Sequence, residues 1–149
     1  MMAGNPGNLK PELIFSELQP ERIFPALTYE ITAELVDRYM ETVGDRNPLY
    51  LSMPGKEGSL RLSPPGLAAI YARLSYLRDY TMPTGGVLAK QEFFFKKEVF
   101  IGDRLTVIAK VEESFLDEKK RKRVTFLIQA SNQRGEPVSE IHLYAIWPK

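Results

Sequence analysis

The chain has 149 residues, 26% of them charged and 44% hydrophobic, which is typical of one ordinary globular domain. Its formal net charge of +1 at pH 7 argues against binding of nucleic acid or an anionic membrane over the whole surface. With no cysteine and one histidine, the sequence excludes disulfides, thiolate nucleophiles and the usual zinc sites.

The N-terminal residues are polar and rich in Gly, Asn and Pro. We therefore expect a flexible tail over residues 1–11, followed by a single domain over residues 12–149. Asn5, Pro6 and Lys10 interrupt the apolar run that a secretory signal needs. No stretch approaches the ~20 apolar residues that cross a bilayer. We expect no membrane partner and, by default, a cytoplasmic protein.

Two elements are predicted in the first third of the chain. A weak strand pattern covers residues 22–28, and a helical pattern follows it from Thr32 to Val43. Thr32 is a suitable N-cap, and Gly44 supplies a stop after the last apolar residue. The apolar stripe of this amphipathic helix consists of Leu35, Val36, Tyr39, Met40 and Val43.

A second helix is predicted to begin near the run Ser63-Pro64-Pro65-Gly66. Serine can cap a helix, and proline is tolerated in the first turn because its missing N–H would have no helical partner. The following segment, LAAIYARLSYL, is apolar on most sides. A helix of this kind is usually buried, so the sequence predicts a central helix enclosed by the rest of the domain.

Four strands with two-residue periodicity are predicted in the second half of the chain, over residues 87–100, 104–111, 123–130 and 139–147. Their short connections favour antiparallel neighbours. A curved antiparallel sheet with one apolar face needs a cover, which the buried helix would supply. The predicted fold class is therefore α+β, a curved antiparallel β-sheet wrapped around a central α-helix, which is the hot-dog fold.

One motif carries the chemistry. The run Gly44-Asp45-Arg46-Asn47-Pro48-Leu49-Tyr50 directly follows the first helix, and Pro65-Gly66 opens the second. A strand then ends in the segment from Phe95 to Gly102-Asp103. Over roughly residues 30–147 this arrangement resembles the MaoC-like hydratases and dehydratases, whose motif is Gly-Asp-x-Asn-Pro-x-His. Here the histidine position is Tyr50.

The resemblance implies addition of water to a 2-enoyl thioester, or its removal from a 3-hydroxyacyl thioester. Asp45 and Tyr50 take the two catalytic positions. Asn47, Pro65 and Gly66 become substrate-binding residues, with the amide of Gly66 facing the thioester oxygen. No metal or cofactor is implied. A phenol with an ordinary pKa of about 10 is a poor base at neutral pH, so the change to tyrosine weakens the catalytic prediction.

Three functions remain open from the sequence. The chain is expected to be an acyl-CoA or acyl-ACP hydratase or dehydratase, a non-catalytic acyl-chain-binding subunit of a heteromeric dehydratase, or a hot-dog thioesterase. The resemblance also implies a homodimer, or a heterodimer with a second MaoC-like subunit.

By alternation, His142 lies on the outer face of its strand and is expected to be structural. The basic run at residues 119–123 is expected to be a solvated hairpin tip, and no nucleic-acid-binding motif accompanies it.

Overall fold

The computed structural model describes residues 9–51 and 61–149, in which two α-helices cover a five-stranded antiparallel sheet. The strand order is β1-β3-β4-β5-β2. This architecture confirms the α+β hot-dog fold predicted from the sequence. The elements are β1 (Leu27–Glu30), α1 (Ala33–Val43), α2 (Leu67–Leu77), β2 (Val87–Phe95), β3 (Arg104–Leu116), β4 (Lys122–Ser131) and β5 (Pro137–Trp147).

The segment that precedes β1 is packed against the sheet. Leu13 and Leu18 are fully buried, and the indole N–H of Trp147 donates to the Leu13 carbonyl at 2.8 Å. The carbonyl of Pro11 accepts from the amide of Thr81 at 2.8 Å. Packing of the chain against the domain thus extends at least to Pro11. Of the predicted tail, residues 1–8 lie outside the described residues.

The caps predicted for α1 are confirmed. The Thr32 hydroxyl accepts from the amide of Leu35 at 3.1 Å, which satisfies one of the free N–H groups in the first turn. Gly44 ends the helix with φ of 70°, a left-handed conformation that glycine adopts without steric cost. The bounds of α1 agree with the prediction because both of its ends are encoded locally.

The second helix departs from the prediction in two ways. Its N-cap is Gly66, whereas Ser63 lies outside the helix and its amide donates to the carbonyl of Val99. The helix is also not enclosed on all sides, because the sheet covers only one of its faces. The side chains that α2 leaves exposed are Ala69, Ile70, Arg73 and Leu74.

The hydrophobic core fills the space between α2 and the inner face of the sheet. At its centre the ring of Phe126 is fully buried and stacks on Tyr76, with the ring centroids 4.4 Å apart. Burial raises the pKa of Tyr76 to about 12. The Trp147 ring packs on the same phenylalanine at 6.1 Å. This aromatic cluster fixes α2 on the sheet.

Three strands have bounds that differ from the sequence prediction by more than two residues, and of these β3 continues to Leu116 rather than ending at residue 111. β2 ends at Phe95 rather than at residue 100, because the amides of Lys96 and Lys97 both donate to the Val138 carbonyl. The first strand runs over residues 27–30 rather than 22–28, with only an isolated bridge at Ile23. No helix in the described ranges is long and apolar enough to cross a bilayer.

The β4–β5 turn contains a carboxylate whose ionisation stabilises the fold. Glu136 accepts hydrogen bonds from Lys97, Arg134 and Asn132, and these lower its pKa from 4.5 to about 2. Because the pKa is depressed in the folded state, this contribution to stability is complete above a pH of about 5. It is lost as the pH falls through the window between the two pKa values.

We therefore expect Glu136→Gln to destabilise the protein at pH 6, and the difference from the wild type to shrink as the pH falls from about 5 towards 2. Urea unfolding of both proteins across this pH range measures the difference. Glu34→Gln, which removes an exposed carboxylate from α1, is the control and should change stability little. A difference for Glu136→Gln that stays constant with pH would contradict the prediction.

Candidate functional site

A cavity of about 480 Å³ lies beside the N-terminal end of α2. Its size falls within the range of small-molecule binding sites. The walls are mostly apolar and come from the start of α2, the segment after β2 and the turn after α1. The residues that line it are Ile31, Tyr50, Leu62, Ser63, Pro64, Pro65, Leu67, Ala68, Tyr71, Phe95, Lys96, Lys97, Glu98, Val99 and Val138.

Tyr50 reaches this cavity from a short 3₁₀ turn, Pro48–Tyr50, that follows α1. Two side chains of the predicted motif build the turn. The carboxylate of Asp45 accepts from the amide of Asn47 at 2.9 Å, and the Asn47 side chain accepts from the amide of Leu49 at 3.1 Å. These local bonds are typical of Asp and Asn in turns, and they place the half-buried phenol of Tyr50 at the cavity wall.

The two predicted catalytic residues border different cavities. Asp45 borders a second hollow of about 270 Å³, together with Met40, Glu41 and Arg46, and is not among the described residues that line the larger cavity. Asn47 is exposed and serves the turn. Of the five predicted site residues, Tyr50 and Pro65 therefore share the larger cavity, while Asp45 and Asn47 lie beside it.

Gly66, the fifth predicted residue, caps α2 between the cavity-lining Pro65 and Leu67. Its φ of −61° is open to any residue, so conformation does not require glycine here. The available space does require glycine, because a Cβ on Gly66 would overlap the hydroxyl of Tyr39 on α1. No acceptor within residues 9–51 and 61–149 pairs with the Gly66 amide, which lies at the positive end of the helix dipole.

Polar groups that the sequence analysis did not single out also face this region. The hydroxyl of Tyr71 shares a hydrogen bond of 2.6 Å with the hydroxyl of Ser139, and burial raises the pKa of Tyr71. The sequence offered one signal for Tyr71, which is a tyrosine on the apolar second helix at a position where leucine would pack equally well. At the segment after β2, Lys97 pairs with Glu136, and Lys96 lies 3.9 Å from Glu140.

The single histidine lies away from the cavity. His142 projects from the face of β5 opposite the core, where Glu140 lies 3.1 Å from its Nε2 and Glu112 lies 3.6 Å from its Nδ1. Its ring also contacts Phe94 edge-on. The predicted outer-face position is confirmed. Because the chain contains one histidine, no imidazole from this chain faces the cavity.

The basic run between β3 and β4 is partly neutralised by its own hairpin. Asp117 accepts from the side chains of Arg121 and Arg123 at 2.8 and 2.9 Å. These bonds tie part of the run to the turn, as expected for a hairpin tip. Across the parts of the chain that the structure describes, no group of three or more acidic or histidine side chains could hold a metal ion.

Comparison with known proteins gives the family. The model of the FAS1-like, dehydratase domain region matches residues 21–141. No curated protein matches the chain significantly. The fold is similar to that of the (R)-hydratase PhaJ1 from Pseudomonas aeruginosa, with a TM-score of 0.73 and 22% identity over 91% of this chain and 85% of that one.

Two further solved structures share the fold. A MaoC-like dehydratase from Rhodospirillum rubrum has a TM-score of 0.72 and 21% identity, over 92% of this chain and 98% of that one. The HadBC (3R-hydroxyacyl-ACP dehydratase) complex from Mycobacterium tuberculosis has a TM-score of 0.69 and 20% identity, over 85% and 96%. Because the family match spans most of the sequence, this chain belongs to the FAS1-like dehydratase-region family and has the hot-dog fold of MaoC-like proteins.

Proposed function

We propose that this chain binds an acyl-CoA or acyl-ACP thioester, and that a second MaoC-like subunit supplies the acid–base pair for hydration or dehydration. The observation that carries the proposal is the position of His142, the only histidine, on the outer face of the sheet. Imidazole is the side chain suited to general acid–base work near pH 7. In this chain Tyr50 stands at the cavity instead.

The cavity supports a binding role. Its apolar walls, including Leu62, Phe95 and Val99, suit the acyl chain. The Gly66 amide, which no described residue accepts from, lies at the start of α2 next to the cavity, where a helix terminus favours the partial negative charge of a thioester oxygen. Lys96, which is 48% exposed and lies 3.9 Å from Glu140, borders the same cavity and offers positive charge to a phosphate-bearing carrier.

The edge of the sheet supports a partner subunit. β2 lies at one end of the strand order, and Phe93 and Phe95 stack on its inner face with their ring centroids 5.9 Å apart. Phe95 is 55% exposed and Leu88 56% exposed. An apolar edge strand of this kind needs a cover. A MaoC-like chain on this edge would also border the cavity, since Phe95 lines it.

The experiment compares binding with turnover. The purified chain is expected to bind octanoyl-CoA in calorimetry and to leave the absorbance of a 2-enoyl-CoA unchanged. Hydration should appear when the chain is co-expressed with a neighbouring reading frame that contains an intact Asp-x-Asn-Pro-x-His motif. Enzymatic hydration by the chain alone, or failure to bind octanoyl-CoA, would refute the proposal. Release of free thiol would favour the thioesterase alternative.

A second candidate, a hydratase site within this chain that lacks only the imidazole of the motif, is favoured by the intact turn of Asp45 and Asn47. The substitution Tyr50→His separates the two candidates. We expect no hydration from this variant, because the Asp45 carboxylate borders a different hollow from residue 50. A folded variant that gains hydratase activity, and loses it again on Asp45→Asn, would favour the second candidate.

A further inference from the structure

Arg61 is a nearly buried cation close to the proposed site. Its side chain is only 13% exposed. A guanidinium stays protonated in proteins and carries five N–H donors, so burying it without partners would cost free energy. Its Nε donates to the carbonyl of Tyr50 at 2.6 Å, and its terminal nitrogen donates to the carboxylate of Asp37 on α1. One side chain therefore joins the helix to the turn that presents Tyr50.

The backbone around Arg61 is anchored to the cavity wall. The carbonyl of Arg61 accepts from the amide of Ile101 at 2.8 Å, and the amide of Ser63 donates to the Val99 carbonyl at 2.8 Å. An isolated antiparallel bridge between Leu62 and Phe100 lies between these two bonds. Arg61 thus starts from a fixed point in the wall and reaches across to the turn.

Tyr50 has few other backbone anchors. Its amide donates to the Asn47 carbonyl at 3.0 Å, a bond that lies within the same turn. Among the described residues, the hydrogen bond that ties the Tyr50 backbone to the rest of the domain is the one that the Arg61 side chain donates to the Tyr50 carbonyl. A charge-assisted hydrogen bond of this kind is stronger than a neutral one.

We propose that Arg61 is a positioning residue that holds Tyr50 in the cavity wall through the hydrogen bond from its Nε to the Tyr50 carbonyl. The placement stands on geometry alone, whereas its effect on ligand affinity rests on the proposed function. Arg61 lies outside the motif that the sequence analysis used. Its partners are 11 and 24 residues away in the sequence.

The test follows Tyr50 directly. 3-Fluorotyrosine is introduced at position 50, and its ¹⁹F resonance is compared in the wild type, Arg61→Ala, Arg61→Lys and Arg38→Ala. Arg38 is the control because its side chain is 76% exposed on α1, the helix that carries Asp37, and its ion-pair partner among the described residues is the exposed Glu34. We expect the resonance to shift towards that of solvent-exposed fluorotyrosine in Arg61→Ala, to shift partly in Arg61→Lys, and to stay in place in Arg38→Ala.

Two further measurements separate positioning from a general loss of stability. Millimolar guanidinium should restore the resonance of Arg61→Ala, which a loosened fold would not show. Asp37→Asn should leave the resonance in place, because the bond from Nε to the Tyr50 carbonyl remains. If Arg61→Ala does not fold, the partial shift in Arg61→Lys carries the test. An unchanged resonance in a folded Arg61 variant, or its displacement in Asp37→Asn, would overturn the proposal.

Octanoyl-CoA titration distinguishes this proposal from the proposed function. We expect the affinity of Arg61→Ala to fall about tenfold, with recovery in millimolar guanidinium. If the resonance moves while even the wild type fails to bind octanoyl-CoA, the positioning role stands and the proposed function fails. If the wild type binds octanoyl-CoA and the resonance moves in no Arg61 variant, the proposed function stands and the positioning role fails.

Discussion

Replacing Phe126 by alanine is expected to lower the free energy of unfolding by about 3–5 kcal/mol. Its ring is fully buried and contacts Tyr76, Trp147 and Phe24, so truncation leaves a cavity that the surrounding rings fill only in part. Urea or thermal unfolding of the variant and the wild type gives the difference.

Phe115→Ala is the control for this substitution. Phe115 lies on β3 and is 47% exposed, so the same change in chemistry should alter stability by about 0.5 kcal/mol or less. Similar losses for both variants would show that the aromatic cluster around Phe126 is not the centre of the core.

Replacing Val99 by tryptophan is expected to weaken octanoyl-CoA binding by at least about tenfold. Val99 is half-buried in the cavity wall, and an indole at this position would occupy part of the cavity volume. Excluding two methylene groups of the acyl chain would cost about 1.6 kcal/mol, which is slightly more than tenfold in affinity. Calorimetric titration of the folded variant measures the change.

The matched control is Ile101→Trp. Ile101 is also half-buried and packs against the core, but it is not among the described residues that line the cavity. We expect its affinity for octanoyl-CoA to match that of the wild type. Equal weakening by both substitutions, or none by Val99→Trp in a folded protein, would place the acyl chain elsewhere.

Local patterns in the sequence predicted the secondary structure that depends on neighbours along the chain. The cap at Thr32 and the stop at Gly44 gave α1 its observed bounds because both contacts lie within one turn of the helix. The alternation in the second half predicted β3, β4 and β5 with shifts of a few residues. These elements follow from side-chain periodicity alone.

The end of β2 could not be read from its own residues. The sequence predicted a strand that runs to residue 100, but the strand stops at Phe95, where two successive amides donate to the carbonyl of Val138 on β5. The exposed face of α2 also depends on contacts with distant parts of the chain. Its composition predicts burial on every side, whereas a single sheet covers one side only and leaves Ile70 40% exposed.

The sequence likewise predicted only part of the candidate site. The motif and the second helix start predicted that Tyr50 and Pro65 meet, and they line one cavity. The sequence did not reveal that Asp45 borders a separate hollow. Nor did it reveal Arg61 or Tyr71, whose partners Asp37 and Ser139 lie 24 and 68 residues away.

By itself the sequence determined the chemical inventory of this protein. One histidine, no cysteine and a tyrosine at the motif position limit the available acid–base chemistry whatever the fold. The alternation along β5 also placed His142 on the outer face of the sheet. Only the tertiary structure put Tyr50 in a cavity wall, because that cavity forms where the turn after α1, the start of α2 and the segment after β2 pack together, and these segments are distant in the sequence.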